Sequence, residues 1–419
     1  MLYLLKMALK NISRHRGRTI LSLLAILAGV FAIIFTQGFA EGAIENMVNL
    51  NVNLNSGHLR LINPEYETKE RLLSLGYPIG EGERSYTEIV AELQKQPGVK
   101  VASGRIRFGM YLVSGEERQS ALGMGLDFRA EDQVTKLSRY LKGENAGRMP
   151  EPGKQEMVLG RKMMNKMGLK VGDKVNALFG TSFGSFNIAT FKVVGCLSSG
   201  LKLVDEGIAY IPLDKAMSLL EFEDAVTEII VFGDHINRTP QLLKTVKSFN
   251  QKENLNLKAI PWDAYNEFIA MLPKYRSIML IVYIFIALLA SFVVFNTLTM
   301  VVAERTREIG MLTALGFTAR SIKKLFLWEG SILAVIGSAA GAVCGGLANY
   351  VFSIYGIDFS EQMRAVGQDF LMSPVIYTKF SFGDLFYGLL IGTIVTIIAA
   401  YLPARRAALL KPTEALRTI

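Results

Sequence analysis

Much of the chemistry an enzyme needs is missing from this 419-residue sequence. No G-x4-G-K-[ST] run is present, so the chain holds no P-loop with which to hydrolyse ATP itself. Its three histidines, His15, His58 and His235, lie far apart. No H-E-x-x-H or paired-cysteine spacing suits a metal. Gly123 and Gly125 are not completed to a dinucleotide fingerprint and read as a turn, as do Ser103-Gly104 and residues 198–200. The two cysteines, Cys196 and Cys344, fall in a polar segment and in an apolar run, so no disulfide framework is expected. Cys196 reads as a small buried apolar residue. Without a nucleophile motif no catalytic residue is assigned. No charge interrupts the centres of the long apolar runs, which argues against a proton relay or an ion channel.

What is abundant is apolar sequence. Half of the residues, 50%, are hydrophobic, and the mean hydropathy is +0.29. Four runs, residues 19–40, 277–302, 325–351 and 382–402, reach the roughly 20 residues a membrane helix needs. The net charge of +9 is concentrated at the ends of these runs rather than in a nucleic-acid-binding patch. Lys6, Lys10, Arg14, Arg16 and Arg18 precede the first run. Arg305, Arg307, Arg320, Lys323 and Lys324 lie between the second and third. Arg405, Arg406, Lys411 and Arg417 follow the fourth. The positive-inside rule places all three clusters, and so both termini, in the cytoplasm; Lys274 and Arg276 run against the trend. The first run is too long for a cleavable signal peptide and lacks a cleavage site, so it reads as an uncleaved anchor.

The expected fold class is an α+β membrane protein: four transmembrane helices with a large α+β extracytoplasmic domain inserted between helices 1 and 2. The expected segments are an amphipathic cytoplasmic helix at 1–18, the first span at 19–40, the outer domain at 41–275 and the second span at 277–302. A cytoplasmic coupling helix at 303–324, the third span at 325–351, an outer loop at 353–381, the fourth span at 382–402 and a cytoplasmic tail at 403–419 complete the chain. Leu4, Leu5, Ala8 and Ile12 give residues 3–18 one apolar face, which fits a helix on the membrane surface or a positive flank. In the outer domain, 56–62 alternates like a half-buried strand. Helix or strand patterns recur at 86–95, 99–113, 156–168, 169–178, 187–197, 206–212, 213–220, 228–232, 242–249 and 257–260, arranged as two lobes.

Residues 304–316, E-R-T-R-E-I-G-M-L-T-A-L-G, carry Ile309, Leu312 and Leu315 at helical spacing, with Arg305, Arg307 and Glu308 largely turned away. Such a helix can seat an apolar ridge in a partner's groove and set its register with rim charges; a solvated helix that only fixes topology is the plainer reading. Gly337, Gly341 and Gly345 in the third run, and Gly388 and Gly392 in the fourth, recur every four residues and suit close helix packing.

The stretch 304–316, followed by Arg320, Leu325 and Glu329, resembles the coupling-helix region of FtsX/MacB-type ABC transporter permeases. The carboxyl end, Y-L-P-A-R-R-A-A at 401–408 and K-P-T-E-A-L-R at 411–417, is similar to that family's closing signature. Residues 8–19, A-L-K-N-I-S-R-H-R-G-R-T, resemble its basic lead-in helix. Residues 157–162, 168–174 and 191–195 are similar to its periplasmic core. The layout resembles the lipoprotein-releasing LolC/LolE branch, and the sequence starts directly at the lead-in helix, unlike MacB-type chains with an ATPase ahead of it.

The resemblance implies a permease subunit in the bacterial inner membrane, working as a dimer with an identical or paralogous subunit and two copies of a cytoplasmic ABC ATPase. ATP and Mg would sit on that ATPase, with no cofactor on this chain. Glu304, Arg305, Arg307, Glu308, Ile309, Gly310, Leu312, Leu315 and Gly316 would couple the two. The cargo would be a lipoprotein passed to a periplasmic carrier, with Phe179, Phe183 and Phe186 of the 179–186 loop as a carrier-docking loop; that loop also reads as a simple connecting hairpin. Efflux of a peptide, antibiotic or toxin, and an FtsX-like scaffold activating a cell-wall hydrolase, are the alternatives.

Overall fold

The computed structural model describes residues 2–14, 16–82, 84–141, 146–200, 202–265, 272–359 and 375–410. His15, residues 360–374 of the expected outer loop, and the tail 411–419 with Lys411 and Arg417 lie outside the described residues, as do the side chains of Leu4, Lys274 and Arg276. The chain divides into two compact units.

The first unit comprises Met1–Ile44, Leu272–Asp358 and Val375–Ile419. An N-terminal helix, Leu2–Arg14, precedes four long helices: the first span Arg16–Asn51, the second Leu272–Glu304, the third Ala319–Tyr355 and the fourth Phe382–Ala408. All four contain a segment long and apolar enough to cross a membrane. The first helix outruns its apolar stretch because no proline interrupts residues 41–51. It passes into one π-helical turn, Val52–Ser56, and stops at Gly57, whose backbone (φ 63°, ψ −174°) glycine adopts without a Cβ clash. The third span opens on a Thr318 cap, whose hydroxyl accepts the Ser321 N–H at 3.3 Å.

These helices meet through glycine. A Cβ at Gly337 would stand 2.8 Å from Ile26 Cβ, and one at Gly341 would stand 2.7 Å from the Leu27 carbonyl oxygen. At Gly345 it would lie 3.1 Å from Ile34 Cβ, at Gly388 2.4 Å from Ile34 Cγ1, and at Gly392 2.3 Å from Val30 Cγ2. Both helices thus use their small faces to close on the first span. Ile26, Val30, Ile34, Val294, Leu298, Leu333 and Ala400 fill the space between. Polar links join them too: Asn349 Nδ2 donates to the Ile34 carbonyl at 2.8 Å, and Gln37 Nε2 to Asp384 Oδ1 at 2.7 Å.

The second unit, Glu45–Met271 with Phe359–Pro374, is built on one nine-stranded sheet. Its strands are β1 (Leu59–Ile62), β2 (Val99–Ser114), β3 (Glu117–Leu126), β4 (Glu156–Gly160), β5 (Lys174–Gly180), β6 (Phe186–Leu197), β7 (Ile208–Pro212), β8 (Glu228–Gly233) and β9 (Lys258–Pro261). Their order is β3-β7-β4-β6-β5-β2-β8-β1-β9, and β2 also pairs with β3, which closes the first six strands into a circuit. The 16-residue β2 belongs to both parts: its start pairs with β8 and its end with β3 and β5.

The two parts, the closed circuit of residues 99–212 and the β8-β1-β9 extension, are thus continuous in one sheet through this strand, and two expectations are corrected. Ser103-Gly104 lie inside β2 rather than in a turn, and Gly123 and Gly125 lie inside β3. The glycines are there for space: a Cβ at Gly123 would stand 2.4 Å from Met110 Cε, and one at Gly125 2.4 Å from Ala216 Cβ. β1 is not half-buried either. It lies between β8 and β9 with all four residues buried, and its Arg60 is neutralised by Glu228 (Nε–Oε2 3.1 Å) and Glu70 (NH1–Oε1 2.7 Å).

Candidate coupling site

The link between the second and third spans is not the single helix expected over 303–324. The second span runs through Glu304, and the backbone turns at Arg305. A short connector helix, Thr306–Ala314, follows, and Gly316, at φ 96°, turns the chain into the third span. The connector is amphipathic, and its apolar side is already occupied. Ile309, only 2% exposed, packs with Val302, Ile322, Phe326, Ala404 and Ala407 of this chain. Gly310 is buried too, and Leu312 half-buried. Ile309 and Gly310 therefore do not belong to an outward ridge: once the flanking spans pack, the buried stripe of so short a helix is used up by its own bundle. The exposed residues over 304–316 are Glu304, Arg307, Met311, Ala314, Leu315 and Gly316.

Arg305 is buried at 6% exposure. Its NH1 lies 3.5 Å from Glu329 Oε1 of the third span, and its Nε 3.7 Å from Glu308 Oε2. Asn11 of the N-terminal helix donates its amide to the same Glu329 oxygen at 2.6 Å. Two further ties hold that end of the chain: Arg14 NH1–Glu308 Oε1 of the connector at 3.4 Å, and a two-armed pair between Arg18 and Glu304 at the end of the second span, with NH2–Oε1 at 2.6 Å. A cavity of about 30 Å³, room for one water, lies beside the node between Asn11, Arg305 and Glu329. The N-terminal helix, the connector and the third span are thus pinned at one buried carboxylate. Asn11 escaped the sequence reading because nothing in residues 8–19 says which side chain meets a residue more than 300 positions away.

In the second unit, β5 and β6 form a hairpin, in register from Lys174↔Lys192 to Gly180↔Phe186. Thr181 N–H donates to the Ser185 carbonyl at 2.8 Å, and Gly184 sits at φ 81° to close the turn. Phe179 is no docking residue: it is 3% exposed and stacks edge-on against Phe108, ring centroids 5.7 Å apart. Phe183 and Phe186 are 83% and 81% exposed. Strand pairing adds residues the sequence did not single out. Tyr111 lies opposite Leu178, which lies opposite Ile188, so the three share one row across β2, β5 and β6. Tyr111 and Ile188 are exposed, and Tyr111, Leu178 and Phe186 line a groove of about 520 Å³ together with Gly109, Ala121 and Gly180.

The π-turn that ends the first helix is bolted to the sheet. Arg105 of β2 donates through NH1 to the Asn55 carbonyl at 2.6 Å and through Nε and NH2 to Glu131 at 2.8 and 2.6 Å. Burial alone would lower the guanidinium pKa; the Glu131 carboxylate outweighs it and the net shift is upward, so the guanidinium stays charged. His58, beside the same turn, accepts the Gly233 N–H on Nδ1 at 2.6 Å. Burial, aided by the charge of His235, lowers its pKa, and it stays neutral. Burial pushes the Cys196 thiol up, so it too stays protonated. Among the described residues, no three His, Cys, Asp or Glu side chains group as a metal site requires.

Comparison with known proteins matches both units. Residues 19–246 match the MacB-like periplasmic core domain, and residues 280–412 match the FtsX-like permease C-terminal domain. The lipoprotein-releasing system transmembrane protein LolC of Xylella fastidiosa is 23% identical over 314 residues, 73% of this chain and 75% of the relative. LolE of Haemophilus influenzae is 23% identical over 334 residues, 77% and 79% of the two chains. The macrolide export ATP-binding/permease protein MacB of Campylobacter jejuni is 26% identical over 240 residues, 55% of this chain and 34% of the relative. Among solved structures, the periplasmic region of MacB from Actinobacillus actinomycetemcomitans covers 52% of this chain and 96% of its own, at 14% identity and a TM-score of 0.36.

Proposed function

The chain belongs to the FtsX/MacB-type family of ABC transporter permeases, and from that premise we propose that it couples a separate cytoplasmic ATPase to the release of lipoproteins from the outer leaflet of the inner membrane. In this reading both termini and the connector helix face the cytoplasm, the sheet domain faces the periplasm, and two permease subunits work with two ATPase copies that hold ATP and Mg.

The observation that carries this reading is the connector. Its buried side is locked to the bundle by Ile309 and by the Arg305–Glu329 pair, while Arg307, Met311 and Leu315 point outward. A helix held that way moves its spans when a partner moves it, and its open side offers apolar contacts beside a cation. The apolar row Tyr111, Leu178 and Ile188, with Phe186 and Phe183, supports an amphiphilic cargo or its carrier at the sheet domain.

The test separates the two sides of the connector. M311D/L315D should lose co-purification of the ATPase while the chain stays folded in the membrane; I309D should unfold the bundle. Retention of the ATPase by M311D/L315D rejects the outward face as the docking surface. Purification from native membranes then decides the cargo: a bound lipopeptide supports lipoprotein release. The MacB relatives motivate the second reading, efflux, for which a co-eluting small peptide or drug would speak.

A further inference from the structure

The N-terminal helix, Leu2–Arg14, has a side that its own bundle leaves open, and that side carries charge of one sign. Tyr3, Lys6, Lys10 and Arg14 follow one another at spacings of three or four residues, so they share one face, and all are exposed. Leu9 borders them at 51% exposure. Arg16, which opens the first span, is exposed as well. No Asp or Glu occurs before Glu41, so the segment brings no acid of its own.

The opposite side fixes the level at which this face lies. Ala8 is 0% exposed, and Ile12 packs against the cluster of Ile26, Leu298 and Leu333 that fills the space between the spans. Asn11 donates to Glu329, which lies inside the apolar run 325–351. The helix is therefore held at the margin of the apolar segments, where headgroups begin, and not out in the water beyond them. Tyr3, at 66% exposure, and Leu9 suit that level. An aromatic ring and an alkyl side chain enter the headgroup boundary, while lysine stems carry their ammonium groups outward.

We propose that this face binds the anionic phospholipid headgroups of the cytoplasmic leaflet, and that the contact sets the connector, because the same helix holds Glu329 through Asn11 and Glu308 through Arg14. Cations interleaved with exposed apolar groups match an anionic lipid surface, where each cation brings about a fivefold gain in affinity. An acidic patch on the ATPase would match the lysines but not Tyr3 and Leu9 at the membrane margin. A neutral lipid would match Tyr3 and Leu9 but not the lysines. The inference rests on the reading that places the amino end in the cytoplasm, and adds the lipid to it as a partner and a regulator.

The experiment uses the full chain with its ATPase in nanodiscs of phosphatidylcholine and phosphatidylglycerol. C344A removes the exposed native thiol, Cys196 is buried, and L9C carries an NBD fluorophore. Phosphatidylglycerol spin-labelled near its headgroup should quench position 9 at about one-fifth the mole fraction that spin-labelled phosphatidylcholine needs, or less. K6Q/K10Q should remove that preference, and K6R/K10R should keep it. Raising salt from about 0.1 M to about 1 M, which shortens the screening length from about 10 to about 3 Å, should shrink it. Stimulation of the ATPase should rise with the phosphatidylglycerol fraction in the native chain and in K6R/K10R, and lose that dependence in K6Q/K10Q. Equal quenching by the two lipids overturns the anionic partner. Quenching by neither, while a label at I20C on the exposed start of the first span is quenched by both, overturns the lipid in favour of a protein partner. A lipid preference with no effect on stimulation overturns the regulatory half. In intact cells a membrane-impermeant maleimide should not reach L9C. Reaction there sinks the cytoplasmic placement of the amino end and the proposal with it, whereas the other failures leave that placement standing.

Discussion

Replacing Glu131 by Leu should loosen the bolt between the end of the first helix and the sheet. In the native chain Arg105 and Glu131 are 1% and 2% exposed and share three hydrogen bonds, and the remaining arm of Arg105 holds the Asn55 carbonyl. E131L keeps the volume but leaves a buried guanidinium without its counter-charge. Removing one member of a buried pair costs about 3–5 kcal/mol. For a domain of this size each kcal/mol moves the melting temperature by about 2–4 °C, so the second unit should melt about 6–20 °C earlier. R105M should fare at least as badly, since it strands the carboxylate and also orphans the Asn55 carbonyl, a further ~1–3 kcal/mol. R105M/E131L removes both charges and should recover all but about 1–3 kcal/mol, the share of the Asn55 carbonyl. The assay is thermal unfolding of the detergent-solubilised full chain followed by intrinsic fluorescence. The same samples should be scored for stimulation of the partner ATPase, because Asn55 lies in the turn that continues the first span. The reasoning fails if E131L melts within about 2 °C of the native chain, or if the double variant shows the sum of the two single losses.

Three further outcomes follow from the same structure. His58 is neutral in the fold because burial lowers its pKa, so between that lowered value and the ordinary value of 6.5 the unfolded chain binds more protons; stability should be complete above pH 6.5 and fall as pH drops below it, and H58Q should flatten this dependence in melting curves from pH 7.5 to 5.5. G341L should cost at least the 1–3 kcal/mol typical of overpacking, because a Cβ there already meets the Leu27 backbone oxygen at 2.7 Å; G17A, with nothing within 4 Å, should leave the melting temperature of the full chain unchanged. F183S and F186S should leave stability within about 0.5 kcal/mol, since both rings are exposed, while abolishing photo-crosslinks from the hairpin to a periplasmic carrier; undiminished crosslinking would reduce the hairpin to a connector.

The membrane unit was largely legible because its signals are local. A run of twenty apolar residues declares itself without knowledge of its neighbours, and glycines at 337, 341 and 345 mark a face at a fixed helical pitch. The outer domain was legible in class and in most of its elements. It misled at Gly123 and Gly125, where glycine makes room for Met110 and Ala216 inside a strand. There the need for glycine is set by residues distant in sequence.

Composition, periodicity and the flanking charges by themselves determined four membrane helices, an inserted α+β domain and the position of the connector. Only the tertiary structure decided which side of the connector is open, because burial of Ile309 depends on Ile322, Phe326, Ala404 and Ala407 arriving from other segments. It alone joined Asn11 and Arg305 at Glu329 and aligned Tyr111 with Leu178 and Ile188. Hydrophobic pattern acts over one or two helical turns, whereas pairing and exposure are properties of the packed whole.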